Sequence, residues 1–600
     1  MQLSVPNRTT PARDAFDSRP AGIKRWIDAL PMANIGETTR MLYAAVNDLN
    51  HQDIPAQQRL KAMELLQKPV QYVGEHMKKH FVGQPLPLSG KNLKISHLSR
   101  DMSLAMATGY KVLVAEQLES RGRKDKKLLL ASLYRAIKHL SLALQKTYQA
   151  YEACPPTVWL ELHSLFRYAE SKNLHLNAVN GEGLMPGAGT NISDAYKQIL
   201  LLALACPYRL RHGEAEAVYN ALQEWATLSE LRPAGVPGDA LFSVNLDADL
   251  PPRYRVMRDD TAQPETSRIL DTKRLAAHVR KALTDKHQPN DKSSREGLRE
   301  NTLRRLMLSW GITPKRRFSR VKDHSQVIVA MGLSSIHYFV SGEVAFNDAN
   351  VSHECFRELG AVPPLHYREP AHFGARTVRE ERNKMPDLWE MNYRIEGEPD
   401  PSNTELAVAR AAAGMQIDTS HNTQSWKMVN VSAGGYCMLW DNPETTRAQV
   451  GELLGIREES DPDTFHWRLG VIRWLKYEEK RGLELGVQML SPGAVAVAAR
   501  MDARNSRDDD YTRGLLLPEI ASIQQRATLL LPSPPFKVGD TAITNCHGKD
   551  VRVKLTELVE NTGSFAQFQF ESLGEIVTQN RRGPPGKPEP RDYDDVWELL

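Results

Sequence analysis

The first part of the chain places apolar residues with the period of an α-helix. Between residues 21 and 231 they recur three or four positions apart, as at Leu133, Ile137 and Leu140, so they fall on one face of a helix. Proline and glycine interrupt this pattern at intervals, which indicates several helices rather than one long helix. We predict an all-α N-terminal domain over residues 1–231.

Beyond residue 310 the pattern changes to the two-residue alternation that is typical of β-strands. Four segments show this alternation or a short apolar run: residues 326–331, 426–429, 436–440 and 483–489. Further strand-like segments lie between residues 527 and 573. We predict a strand-rich domain over residues 310–500 and a small β module over residues 515–575.

The remaining segments connect these domains. Residues 232–309 combine a strand at 241–246 with a helix at 272–283, so we predict a mixed α/β connector. The many prolines of residues 341–420 are typical of a surface insertion. Residues 576–600 are rich in proline, glycine and charge and are predicted to be a flexible tail. The predicted fold class is therefore multidomain α+β.

Size and composition limit the classes of function. A chain of 600 residues should hold several domains, because single cores rarely exceed about 250–300 residues. The net charge of +4 creates no strong field, so we expect no nucleic-acid partner. The longest apolar run, residues 199–206, is too short to span a bilayer, so we expect no direct membrane insertion. Five scattered cysteines suggest reduced thiols in the cytoplasm.

Patterns of catalysis and metal binding are missing from the sequence. There is no Walker A motif and no strand–G-x-G-x-x-G–helix unit, so nucleotide hydrolysis and dinucleotide redox chemistry have no support. His76 and His80 share a helix face, but Met77 stands where a metalloprotease carries its glutamate and no third ligand is evident. We therefore expect neither an enzyme nor a metal site.

A cluster of small polar residues and glycines lies between two predicted strands. Residues 430–435 are Asn-Val-Ser-Ala-Gly-Gly. Asn430 and Ser432 offer compact donors and acceptors, while Gly434 and Gly435 let the backbone turn sharply and approach a ligand closely. The alternative interpretation is an ordinary glycine-rich connection between strands.

A basic cluster precedes the strand at residues 326–331. Arg316 and Arg320 are four positions apart, and Arg317 adds a third guanidinium group. Arginine presents a planar fork that stays charged at cellular pH, binds phosphate or the O6/N7 edge of guanine bidentately, and stacks on purines. The alternative interpretation is a solvated basic patch, which most basic runs are.

Together, the two clusters resemble the R-x-x-x-R and N/D-x-S-x-x-G motifs of PilZ domains, in the order that this family carries them. The segments at residues 467–474 and 483–489 are similar to the late strands of the family. The resemblance implies a small β-barrel that binds cyclic di-GMP and needs no cofactor. The binding residues that it implies are Arg316, Arg317, Arg320, Asn430, Ser432, Gly434 and Gly435.

The spacing of the two motifs departs from the family pattern. Arg320 and Asn430 are 110 positions apart, whereas the motifs of a compact PilZ domain lie much closer together. Either an insertion at residues 341–420 separates two parts of one barrel, or the basic cluster is coincidental. We favour the insertion, because no R-x-x-x-R pair closer to Asn430 precedes a β segment.

The resemblance implies a non-enzymatic cytoplasmic receptor that couples cyclic di-GMP to a protein partner. The helical domain offers the larger surface for that partner. A narrower resemblance, to pilus-associated members of the family, implies recruitment to the cell pole and control of type IV pilus assembly, motility or surface attachment. The alternative is a ligand-independent scaffold with a degenerate PilZ barrel.

Overall fold

The structure is a computed structural model of the chain and describes most of it. The predicted tail at residues 576–600 and nearly all of the predicted insertion at 341–420 lie outside the described residues, as do Arg316 and Arg317. The described ranges are 3–13, 15–120, 125–179, 191–234, 240–255, 265–285, 298–312, 319–343, 346, 421–459, 467–502, 511–520, 525–546 and 549–575.

The described residues form two compact units. The first contains those up to Ile336 and from Asn422 to Pro492, and the second contains those from His337 to 346, His421 and those from Gly493 onward. The first unit holds a helical region, a small sheet and a β-barrel. The second holds another β-barrel.

Helices dominate the first unit up to residue 225. Polar side chains start several of them: Asn34 accepts a hydrogen bond from the amide of Glu37, and Asp125 accepts from the amide of Leu128. The apolar stripe predicted around Leu133 is fully buried in one core. The helices are α1 (Pro20–Asp28), α2 (Ile35–His51), α3 (Ala56–Lys78), α4 (Gly90–Glu119), α5 (Lys126–Gln149), α6 (Val158–Ser171), α7 (Ile192–Leu204) and α8 (Glu214–Trp225).

An ion pair is buried within this helical region. Lys111 Nζ lies 2.9 and 2.8 Å from the two carboxylate oxygens of Glu161, and the side chains are only 5% and 9% exposed. The amide of Ser4 donates a further hydrogen bond to Glu161 Oε1 at 3.0 Å. The carboxylate therefore has partners from two other segments of the chain.

A small antiparallel sheet and two helices follow. The strands pair in the order β1-β4-β2-β3, and the buried indole Nε1 of Trp310 donates to the carbonyl of Leu201 at 3.1 Å, which ties the last helix to the helical region. The elements are β1 (Glu230–Pro233), β2 (Phe242–Asn245), β3 (Arg253–Tyr254), β4 (Ser267–Asp271), α9 (Lys273–Asp285) and α10 (Glu300–Gly311).

The next strands form a barrel, which we call the middle barrel. Each strand from β6 to β11 pairs antiparallel with two neighbours, in the cyclic order β6-β9-β10-β11-β8-β7, and β5 adds to β7 beside β6. The predicted strand at 326–331 is confirmed. In chain order, the elements of this part are β5 (Val321–Lys322), β6 (Gln326–Met331), α11 (Leu333–Val340), β7 (Thr423–Ser432), β8 (Gly435–Trp440), β9 (Leu453–Glu458), β10 (Arg468–Glu478) and β11 (Gly482–Ser491), of which α11 belongs to the second unit from His337 onward.

The middle barrel and the helical region share one apolar core. Phe81 and Tyr151, from the helical region, pack in the same cluster as Trp440 and Leu475 of the barrel. The backbone also connects the two parts, since the amide of Tyr477 donates to the carbonyl of Tyr151 at 2.7 Å. The barrel interior is therefore completed by residues at least 170 positions upstream of its strands.

The second unit contains a closed six-stranded barrel around a core that includes Val497, Leu529, Leu555 and Phe568. The multidomain α+β fold class predicted from the sequence is confirmed. The domain boundaries drawn from the sequence remain predictions. The strands are β12 (Val495–Met501), β13 (Thr512–Leu517), β14 (Thr528–Leu531), β15 (Thr541–Cys546), β16 (Lys549–Asn561) and β17 (Ala566–Glu575).

Candidate functional site

The glycine-rich cluster forms the tight connection between β7 and β8. Ser432 and Gly435 are the last paired residues of the hairpin, so Ala433 and Gly434 make a two-residue turn. The hydroxyl of Ser432 donates to the carbonyl of Gly435 at 3.1 Å, and the carbonyl of Gly434 accepts from the amide of Met489 on β11. These bonds hold the turn against the neighbouring strand.

Gly435 is required by the backbone at this position. Its φ is +152°, and a Cβ atom there would lie 1.9 Å from the carbonyl oxygen of Val487. A side chain would therefore push β8 away from β11. The second glycine of the cluster brings two strands close together beside the turn.

A β-bulge turns Asn430 away from the barrel interior. The pairing of β7 with β8 shifts between Met428 and Asn430. Met428 and Val431 both pack against the barrel core although they are three positions apart, whereas strict alternation would put Asn430 on the inner face with Met428. The bulge thus directs the amide side chain to the outer face.

A cavity of about 240 Å³ lies on this outer face, beside the turn. Parts of β7, β8, β10 and β11 and the residue before β5 form its walls. The lining residues are Arg320, Asn430, Ser432, Gly434, Gly435, Tyr436, Cys437, Arg473, Trp474, Gly486, Val487 and Gln488.

Five of the seven residues predicted for the site line this one cavity, namely Arg320, Asn430, Ser432, Gly434 and Gly435. The pairing of β5 with β7 explains how distant segments meet, because Val321 is the register partner of Val431 and Lys322 that of Asn430. Arg320 directly precedes β5 and therefore lies near the end of β7. The two other predicted residues, Arg316 and Arg317, lie outside the described residues.

The strand pair β10–β11 contributes lining residues that the motifs did not indicate. Arg473 and Trp474 come from β10, and Gly486, Val487 and Gln488 from β11. A weak signal was present in the sequence: the apolar residues on either side of Arg473-Trp474 are three positions apart, which breaks the two-residue alternation. This break alone does not identify a site, because the sequence does not show which strand pairs with β10.

Positive charge predominates among the ionisable side chains of the cavity. Arg320 is exposed, and Arg473 Nε donates to Gln488 Oε1 at 2.8 Å. Burial, with a hydrogen bond to Glu484, raises the pKa of the Cys437 thiol to about 12, although Arg320 and Arg481 oppose this shift. Cys437 therefore stays neutral at cellular pH and does not offset the two guanidinium groups.

Comparisons with known proteins point to one family. Family models of the cyclic-di-GMP receptor FimW match in three parts: its N-terminal domain at residues 21–234, its middle PilZ domain at 241–495 and its C-terminal β-barrel domain at 497–573. "Cyclic-di-GMP receptor FimW" from Pseudomonas aeruginosa is 30% identical over 610 aligned residues, which cover 100% of this chain and 99% of that protein. The chain belongs to the FimW family. No solved structure matches it.

The FimW family assignment confirms the PilZ resemblance that the two motifs predicted. The match to the middle PilZ domain includes every residue that lines the cavity. The binding residues drawn from the sequence remain a prediction, and Arg316, Arg317 and nearly all of the insertion lie outside the described residues.

Two further observations on this FimW-family chain concern metal binding and membrane insertion. Among the described residues, no group of three or more His, Cys, Asp or Glu side chains is arranged to hold a metal ion. Within the same residues, no helix combines the length and apolar character that are needed to cross a membrane.

Proposed function

We propose that this chain is a non-enzymatic cytoplasmic receptor that binds cyclic di-GMP in the cavity beside the β7–β8 turn. One observation carries the proposal: Arg320 and the Asn430–Ser432 segment, 110 positions apart in sequence, line the same cavity. Membership of a family named for a cyclic-di-GMP receptor supports the choice of ligand.

Each residue type in the cavity suits a different part of the messenger. The guanidinium group of Arg320 is suited to the phosphates or to a guanine O6/N7 edge. Asn430 and Ser432 can donate to and accept from guanine edges, and Gly434 leaves the backbone accessible. Arg316 and Arg317 belong to the proposed site through the sequence motif alone.

The Arg320→Ala variant should bind cyclic di-GMP about tenfold or more weakly, because a hydrogen bond to a charged group contributes roughly 1.5–3 kcal/mol. Arg320→Lys should be nearly as weak, since lysine keeps the charge but lacks the planar fork. Isothermal titration calorimetry of the full chain measures both affinities.

The matched control for loss of one cation is Lys427→Ala. Lys427 lies on β7, but it pairs with Asp441 and does not line the cavity. Unchanged affinity of Arg320→Ala would remove Arg320 from the site.

We also propose that binding of cyclic di-GMP is coupled to a protein partner through the helical region. The proposed controlled process is type IV pilus assembly, motility or surface attachment. The proposed place of recruitment is the cell pole. The barrel strands that line the cavity continue into the core shared with the helices, which supports such coupling. Affinity purification from cells expressing wild type or Arg320→Ala tests it. Capture of the same partner by both, at the same level, would favour the ligand-independent scaffold.

A further inference from the structure

A second β-bulge turns two adjacent side chains into the cavity from β10. The pairing of β10 with β11 shifts between Ile472 and Trp474. Ile472 and Leu475 are both fully buried in the barrel core, although regular alternation would place only one of them there. The extra residue leaves Arg473 and Trp474 together on the outer face, where both line the cavity.

The neighbouring strand is shaped to receive these two side chains. A Cβ atom on Gly486 would lie 1.9 Å from the indole Nε1 of Trp474, so the indole rests directly on the backbone of β11 and only glycine leaves room for it. Two residues further along β11, Gln488 Oε1 accepts a hydrogen bond from Arg473 Nε at 2.8 Å. Gly486 therefore positions the ring, and Gln488 orients the guanidinium group.

An indole ring next to an oriented guanidinium group suits a purine base. Aromatic rings stack on any base with little preference for its identity. A guanidinium group donates to two acceptors at once, and guanine presents O6 and N7 as such a pair, whereas adenine presents a donor at N6 in place of O6. The indole can therefore hold the base by stacking, while the guanidinium group distinguishes guanine from adenine.

We propose that Arg473 and Trp474 form a purine subsite of the cavity, in which Trp474 stacks on one base of the dinucleotide and Arg473 selects guanine against adenine. Gly486 and Gln488 act as positioning residues for these two. The inference rests on the proposed binding of cyclic di-GMP and names the part of the site that sets its base specificity.

The test compares cyclic di-GMP with cyclic di-AMP on the full chain, by calorimetry for the first and by competition against a fluorescent cyclic di-GMP for the second. Arg473→Lys should lower the affinity for cyclic di-GMP about tenfold or more and leave the affinity for cyclic di-AMP unchanged. Trp474→Ala should lower the affinities for both ligands by a similar factor of about tenfold, because stacking is tolerant of the base. Gln488→Ala should shift the ratio of the two affinities in the same direction as Arg473→Lys, by a smaller factor.

Lys476→Ala is the matched control, because it removes a cation from the same strand that pairs with Glu478 and does not line the cavity. Circular dichroism and a thermal melt confirm that each variant is folded. Unchanged cyclic di-GMP affinity of Arg473→Lys, or an equal loss for both ligands, would overturn the subsite while wild-type binding still supported the receptor. Absence of cyclic di-GMP binding by the wild type would overturn both proposals.

Discussion

Replacement of Phe81 by alanine is expected to destabilise the middle barrel together with the helices, by about 3–5 kcal/mol. Phe81 follows α3, is 1% exposed and packs in the core that contains Trp440 and Leu475 of the barrel. Loss of the ring leaves a cavity between elements that cannot close over it without moving. Chemical denaturation followed by tryptophan fluorescence measures the change in the free energy of unfolding.

The matched control for this variant is Tyr72→Ala. Tyr72 lies on α3 but is 39% exposed, so its replacement should change the free energy of unfolding by no more than about 0.5 kcal/mol. If Phe81→Ala cost less than about 1 kcal/mol, the shared core would be wrong. Separate unfolding of an unaffected barrel would contradict it as well. The same core implies that the barrel strands alone should fold poorly when the helical region is removed.

The Lys111→Met variant is expected to lose about 3–5 kcal/mol of stability, because it leaves the Glu161 carboxylate buried without its cation. Lys111 Nζ contacts both oxygens of that carboxylate at 2.9 and 2.8 Å, and each side chain is less than 10% exposed. A solvent-exposed pair would cost far less to break. Urea denaturation of the full chain measures the loss.

Two controls separate the buried charge from loss of the side chain itself. The double variant Lys111→Met/Glu161→Leu should recover most of the stability, since replacing both members of a buried pair by apolar residues is often nearly neutral. Arg40→Ala breaks the exposed pair with Glu37 on α2 and should leave the free energy of unfolding almost unchanged. A double variant no more stable than Lys111→Met would show that packing, and not the stranded carboxylate, explains the loss.

The two sequence motifs predict several of the residues that line the cavity from the β5, β7 and β8 side, because local chemistry determines where those residues lie. Gly434 and Gly435 indicated a tight turn, and the turn joins the two strands that were predicted on either side. The sequence predicted that a glycine here lets the backbone approach another group closely. In the structure, Gly435 approaches the carbonyl of Val487 rather than a ligand. Arginine spacing likewise indicated Arg320.

The β10–β11 side of the cavity depends on strand pairing, which the sequence pattern does not contain. Arg473 faces the cavity only because a bulge changes the alternation of β10, and Gly486 matters only because Trp474 of the adjacent strand rests on it. Nor does helical periodicity reveal which core a buried residue joins. Phe81 and Tyr151 lie in a region predicted to be helical and complete the interior of a barrel.

Hydrogen–deuterium exchange of the full chain with and without saturating cyclic di-GMP tests the location of the proposed site most directly, because bound ligand slows the opening of the backbone that it contacts. Three groups of peptides should become protected. They cover residues 319–322 with Arg320, residues 430–437 with the β7–β8 turn, and residues 486–488 of β11. Peptides from β16 and β17 serve as the internal control and should exchange unchanged. Ligand binding without protection of the first three segments would contradict the proposed site.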